Sequence, residues 1–93
     1  MRAANMRDEI TERVIRVIAE NQHIEPATIQ PESTFQELGI DSLDGLQMLF
    51  GLEEEFDIDI PDDAGKQFNS VGKVTEGIRL LLERKMAADP GPA

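Results

Sequence analysis

Apolar residues recur at helical rather than alternating spacing along most of this chain. From about Met6 to Asn21, Ile10, Val14, Val17 and Ile18 share one face while Arg7, Asp8, Glu12, Arg13 and Arg16 fall largely on the other, which predicts a first amphipathic helix. A second is predicted from about Ser42 to Phe56. At about 100° per residue, Met48, Leu49, Leu52 and Phe56 make one sector, and Leu43, Leu46 and Phe50 make a neighbouring one bordered by Gln47, Glu53 and Glu54. That arc is too wide for one packing face. The first sector suits the core, and the second is either more core or a surface for a partner or an apolar cargo. A last helix opens after Ser70, a suitable N-cap, with Val71, Val74, Ile78, Leu81 and Leu82 on one face and Arg84 and Lys85 near its negative dipole end.

Between these helices the punctuation is dense. Gln22 to Gly39 holds Pro26, Pro31 and three Ser/Thr, so it reads as a long connection whose Ile24, Ile29, Phe35, Leu38 and Ile40 tuck inward, with a single helical turn near Thr34 to Glu37. Pro61 ends the acidic turn of Asp57 to Ile60, and Asp62 or Asp63 caps a short third helix to about Phe68, softened by Gly65. Ile58 and Ile60 alternate with acids, but proline stops the run too soon for a strand. The expected fold is all-α: a small four-helix bundle over residues 6–86 with a long first connection and a short third helix, a flexible N-terminus at 1–5 and a disordered tail at 87–93. Gly45 and Gly51 each cost the second helix about 1 kcal/mol relative to Ala, which implies a close approach or local softness there.

Charge narrows the function. There are 19 acids against 9 bases, and no Lys or Arg stands between Arg16 and Lys66, so the middle of the chain is an acidic block. Nucleic acid and anionic membrane surfaces are repelled by such a block, and basic protein surfaces are drawn to it. The absence of cysteine excludes disulfides and thiolate metal sites. No apolar run is long enough for membrane insertion, and a cytoplasmic, monomeric protein is expected.

The candidate chemistry centres on Ser42, at the first turn of the second helix. Asp41 is a good N-cap and Asp44 adds a carboxylate to a turn whose unpaired N–H groups favour negative charge. A serine nucleophile needs a base and an orienting third group, yet His23 is the only imidazole and reads as an exposed loop residue; the G-x-S-x-G elbow is also missing. A calcium loop fares no better, because Asp57-Ile58-Asp59-Ile60-Pro61 breaks the pattern at its third ligand, where Pro61 stands, and no dedicated metal site is expected. An exposed serine in acidic surface beside an apolar strip fits a residue that another enzyme modifies. The other reading is an acidic helical interaction module, or a weak divalent-cation binder, that carries no cofactor.

Leu38-Gly39-Ile40-Asp41-Ser42-Leu43-Asp44, then Leu52-Glu53-Glu54-Glu55-Phe56 and Ile60-Pro61-Asp62, together resemble the acyl carrier protein family over about Met6 to Lys85. The resemblance implies a noncatalytic carrier with 4′-phosphopantetheine joined to Ser42 by a phosphodiester and acyl intermediates held on its thiol as thioesters. It implies that Asp41 positions the serine for a phosphopantetheinyl transferase. It further implies that Asp44, Gln47, Glu53 and Glu54 face basic patches on partner enzymes of fatty-acid, specialised lipid or polyketide synthesis, with Leu43, Leu46 and Phe50 as the apolar part of that surface. Gln47 stands where a glutamate is usual, Phe50 is bulkier than the usual methionine, and Gly45, Gly51 and Gly65-Lys66-Gln67 depart from the common fatty-acid pattern, which bears on the identity of the partners.

Overall fold

The computed structural model describes residues 9–88, and among these it is helical, with no strand beyond one isolated antiparallel bridge between Thr34 and Ser70. Helix α1 spans Glu9–Gln22 and buries Val14, Ile15, Val17, Ile18 and Ala19, the stripe that the periodicity predicts with Ile15 and Ala19 added. The expected start at Met6 and the N-terminal residues 1–5 lie outside the described residues. His23 ends α1 in the left-handed region (φ 58°), where histidine is tolerated better than most side chains, and Ile24 N–H then reaches back to the Ala19 carbonyl at 3.1 Å. The lone histidine is exposed and shapes a helix end.

The long connection is ordered by hydrogen bonds. It contains a short 3-10 helix at Pro26–Thr28 that hydrophobic periodicity could not reveal, because three residues are less than one helical repeat. The turn expected at Thr34 to Glu37 forms without becoming a helix, held by reciprocal bonds from Thr34 N–H to Glu37 Oε1 (3.0 Å) and from Glu37 N–H to Thr34 Oγ1 (3.1 Å). Ser33 and Phe35 stitch it to the start of the last helix: Val71 N–H donates to the Ser33 carbonyl and Phe35 N–H to the Asn69 carbonyl, both at 2.9 Å. Ile29 is buried, and Ile24, Phe35, Leu38 and Ile40 pack partly buried against the core, as anchors should.

Helix α2 spans Ser42–Phe56, the predicted bounds. Asp57 follows in the left-handed conformation (φ 55°), and Ile58 N–H bonds to the Glu53 carbonyl at 3.2 Å, closing the helix as a Schellman-type end. Helix α3 is Asp62–Lys66, shorter than expected. Its N-cap is Pro61, with no side-chain cap; Asp62 and Asp63 sit inside the first turn, where their charge complements the dipole without capping. Helix α4 runs Val71–Ala88, with Ser70 Oγ accepting from Lys73 N–H at 3.2 Å as the expected N-cap. It passes the expected end at Met86, which places Ala87 and Ala88 in the helix and leaves 89–93 outside the described residues.

The core lies where α1, α2 and α4 meet: Val14, Ile18, Met48, Leu52, Val71, Val74 and Ile78 are fully buried. Gly51 lets α1 and α2 close, since a Cβ there would lie 3.2 Å from both Val17 Cγ1 and Asn21 Nδ2. One turn further along α2, Arg13 Nε pairs with Glu55 Oε2 at 2.7 Å, Nη2 donates to the Glu55 carbonyl at 2.7 Å, and the guanidinium sits 4.4 Å from the centroid of the Phe56 ring. Helix α3 buries no residue.

Candidate functional site

Ser42 opens α2 and is exposed. The turn beneath it is built by a reciprocal capping box: Asp44 N–H donates to Asp41 Oδ1 at 2.8 Å, and Asp41 N–H donates to Asp44 Oδ2 at 3.5 Å. Gly39, at φ 73°, supplies the left-handed residue that brings the chain round to this cap. The helical ladder begins with Gly45 N–H on the Asp41 carbonyl at 2.9 Å, so the N–H groups of Ser42 and Leu43 lie outside it, an arrangement that favours an anion at a helix N-terminus.

Of the expected partner surface, Leu43, Leu46 and Phe50 are 67%, 53% and 64% exposed, which assigns the second apolar sector to the surface and leaves Met48, Leu52 and Phe56 in the core with Leu49 half-buried. Gln47 and Glu54 are exposed on the same helix. Glu53 is placed differently. Its Oε2 accepts from Ile60 N–H at 2.8 Å, so one oxygen of this half-buried carboxylate helps hold the chain between α2 and α3. Asp44 likewise has one oxygen in the capping box.

Beside Ser42 the structure opens a cavity of about 480 Å³ between α2 and α3. Ser42 and Gly45 belong to its lining, and Phe35, Leu46, Met48, Leu49 and Phe68 make it mostly apolar. A Cβ on Gly45 would meet nothing, so this glycine answers to the cavity rather than to a close approach; one on Gly65 would come to 3.0 Å from Leu49 Cδ1. Sequence reasoning found Phe35 and Met48 only as packing residues and did not place Phe68 at the site. The signal it held was the pair of unexplained glycines, one on each helix flanking the space.

Among the described residues no group of three or more His, Cys, Asp or Glu is disposed to hold a metal ion, and no helix is long and apolar enough to cross a membrane. The chemistry that this geometry offers is a free hydroxyl at an anion-favouring helix end, opening on an apolar space. Residues 12–78 match the family described as the phosphopantetheine attachment site. The chain belongs to that family. It is 41% identical over 71 residues to the mitochondrial acyl carrier protein of Dictyostelium discoideum, an alignment covering 76% of this chain and 59% of that protein. Among solved structures it resembles an acyl carrier protein of Thermotoga maritima, with TM-score 0.69, 26% identity, and coverage of 80% of this chain and 94% of the other. It shares the fold of the mupirocin didomain acyl carrier protein, with TM-score 0.71, 24% identity, and coverage of 92% of this chain and 46% of the other. Family members are noncatalytic carrier domains, and their cofactor is covalently attached 4′-phosphopantetheine. The site fits that group: an exposed serine, two N–H groups outside the ladder for a phosphate, and an adjoining apolar cavity.

Proposed function

We propose that Ser42 is the attachment point and that the protein is an acyl carrier, holding intermediates as thioesters on the phosphopantetheine thiol and shuttling them between enzymes of fatty-acid or related lipid or polyketide synthesis. The observation that carries this reading is the exposed Ser42 hydroxyl, on a capped helix end, in the lining of the apolar cavity. A phosphopantetheinyl transferase would install the arm: Ser42 Oγ attacks the pyrophosphate of coenzyme A, a phosphodiester forms, the hydroxyl proton is lost and adenosine 3′,5′-bisphosphate leaves. Asp41 positions Ser42 by fixing the first turn through its bond from Asp44 N–H. When bound, the group supplies the thiol on which acyl chemistry takes place, and the chain's own residues present it.

Partner enzymes read the surface behind Ser42. Leu43, Leu46 and Phe50 provide a small apolar patch, and Asp44, Gln47 and Glu54 surround it with acidic and polar groups that attract basic docking surfaces and let them go again. Glu53 borders this surface with one carboxylate oxygen engaged by Ile60 N–H, as Asp44 does with one oxygen in the capping box. In this reading the carrier acts in the cytoplasm, although the Dictyostelium relative is mitochondrial, and cell fractionation of the tagged protein decides between compartments.

Incubation with a broad-specificity transferase and coenzyme A should add one phosphopantetheine to the intact mass, and Ser42→Ala should abolish the gain. A protein that stays at its original mass, or a gain that survives the substitution, would favour the cofactor-free interaction module.

A further inference from the structure

Lys66 has no evident task in the fold. It is the only lysine or arginine between Arg16 and Lys73, and it lines the open cleft beside Ser42 together with Gly45 and Asp62. Other basic side chains are engaged in packing: Arg13 clasps Glu55, and Lys85 pairs with Asp57. The exposed Lys66 side chain makes no ion pair or hydrogen bond among the described residues, not even with Asp62 one turn earlier on α3. Its backbone is nevertheless held on two sides. Gly65 lets α3 approach Leu49 of α2, since a Cβ there would lie 3.0 Å from Leu49 Cδ1. The ring of Phe68 rests on Gly77 of α4, where a Cβ would lie 2.5 Å from Phe68 Cε1 and 2.7 Å from Cζ. A compact charge on a flexible stem thus stands on a fixed root at the wall of the cleft.

We propose that Lys66 is a positioning residue for the phosphopantetheine arm, its ammonium pairing across the cleft with the phosphodiester on Ser42. The inference rests on the carrier reading, because the phosphodiester is the group that Ser42 bears in that reading. Asp41 and Asp44 flank Ser42 and Asp62 shares its cleft, so an anion added at Ser42 finds a single cation in that lining. The free N–H groups of Ser42 and Leu43 favour the phosphate from the helix end, and Lys66 holds it from the α3 side, as a point charge suited to phosphate. Tethering the phosphate to Ser42 makes the pairing intramolecular, which favours an exposed ion pair that is weak between free molecules. The arm then leaves Ser42 towards α3 instead of sweeping freely through solvent. The departure at Gly65-Lys66-Gln67 thereby gains a role at the attachment site.

Amide NMR spectra of the full chain before and after attachment of the arm, read with the arm's phosphorus signal, test the pairing. Attachment should shift the amides of Ser42 to Gly45 and, across the cleft, those of Asp62 to Lys66. Raising sodium chloride to about 0.5 M should reduce the α3 shifts roughly threefold, because an exposed pair is screened, and leave the shifts at Ser42, next to the covalent bond, little changed. This salt series needs no variant. At low salt Lys66→Gln should reproduce the loss at α3 and move the phosphorus signal, and Lys66→Arg should restore both. Lys73→Gln, at an exposed cation on α4 outside this lining, should alter neither. Shifts at α3 that ignore salt, survive Lys66→Gln or fall equally with Lys73→Gln would overturn the proposal while leaving the carrier intact. Failure of the carrier reading shows earlier, as no mass gain on incubation with the transferase and coenzyme A.

Discussion

The two sides of α2 are built to different standards. Towards α1 and α4 it presents Leu52 and Phe56 to a sealed core, closed further by Gly51 against Val17 and by Arg13 clasping Glu55. Towards α3 it presents Gly45, Leu46 and Leu49 to an open cavity, and the helix across that cavity buries nothing. The same helix therefore supports the fold on one side and leaves room on the other. Marginal domains can keep space for a ligand only where looser packing does not undermine the rest, and here the sealed side carries the stability.

Substitutions should separate the two sides sharply. Ile18→Ala or Leu52→Ala removes a fully buried side chain from the sealed side and should cost about 2–5 kcal/mol, read as a lower urea midpoint at unchanged slope. Asp41→Ala removes the side-chain cap of α2 and should cost about 1 kcal/mol. It should also slow loading by the transferase, since the first turn that presents Ser42 frays. Phe50→Ser, on the exposed patch, should change stability by no more than about 0.5 kcal/mol yet slow transfer to a cognate partner, and a destabilisation comparable to that of Leu52→Ala would mean that the patch belongs to the core.

The smallest effect on the fold is expected from charge. Reversing Glu54 to Lys and adding Gln47→Lys alters the exposed face of α2 without touching the capping box in which Asp44 is engaged. Acyl transfer by a cognate enzyme should slow several-fold at low salt and lose its salt dependence while the urea midpoint holds. An unchanged rate would reduce the acidic face to a solubility device.

The sealed side was the more legible from residues alone. Helix α2 was readable to its ends because Asp41, Asp44 and the spacing of Leu43 to Phe56 all act locally, and α4 announced its start at Ser70. The open side was harder for a physical reason: its features depend on what lies across a gap. Glu53 reads as a surface acid until Ile60 N–H is brought to it, and Gly45 reads as a helix weakness until the cavity is seen. Phe68 and Gly77 are ordinary in the chain and meaningful only as neighbours. The misplaced cap of α3 has a similar origin, since an aspartate next to Pro61 serves the dipole as well as the cap and composition cannot tell the two apart.

Hydrogen exchange on the phosphopantetheinylated protein, with and without an octanoyl chain, tests the division most directly. Amides of α3 and of residues 45–49 should exchange through local opening in the unloaded form and slow when the chain is attached, while those of α1 and of the buried turns of α4 stay unchanged. Protection spread evenly over all four helices, or none at α3, would contradict the account that one side of α2 holds the fold and the other holds the cargo.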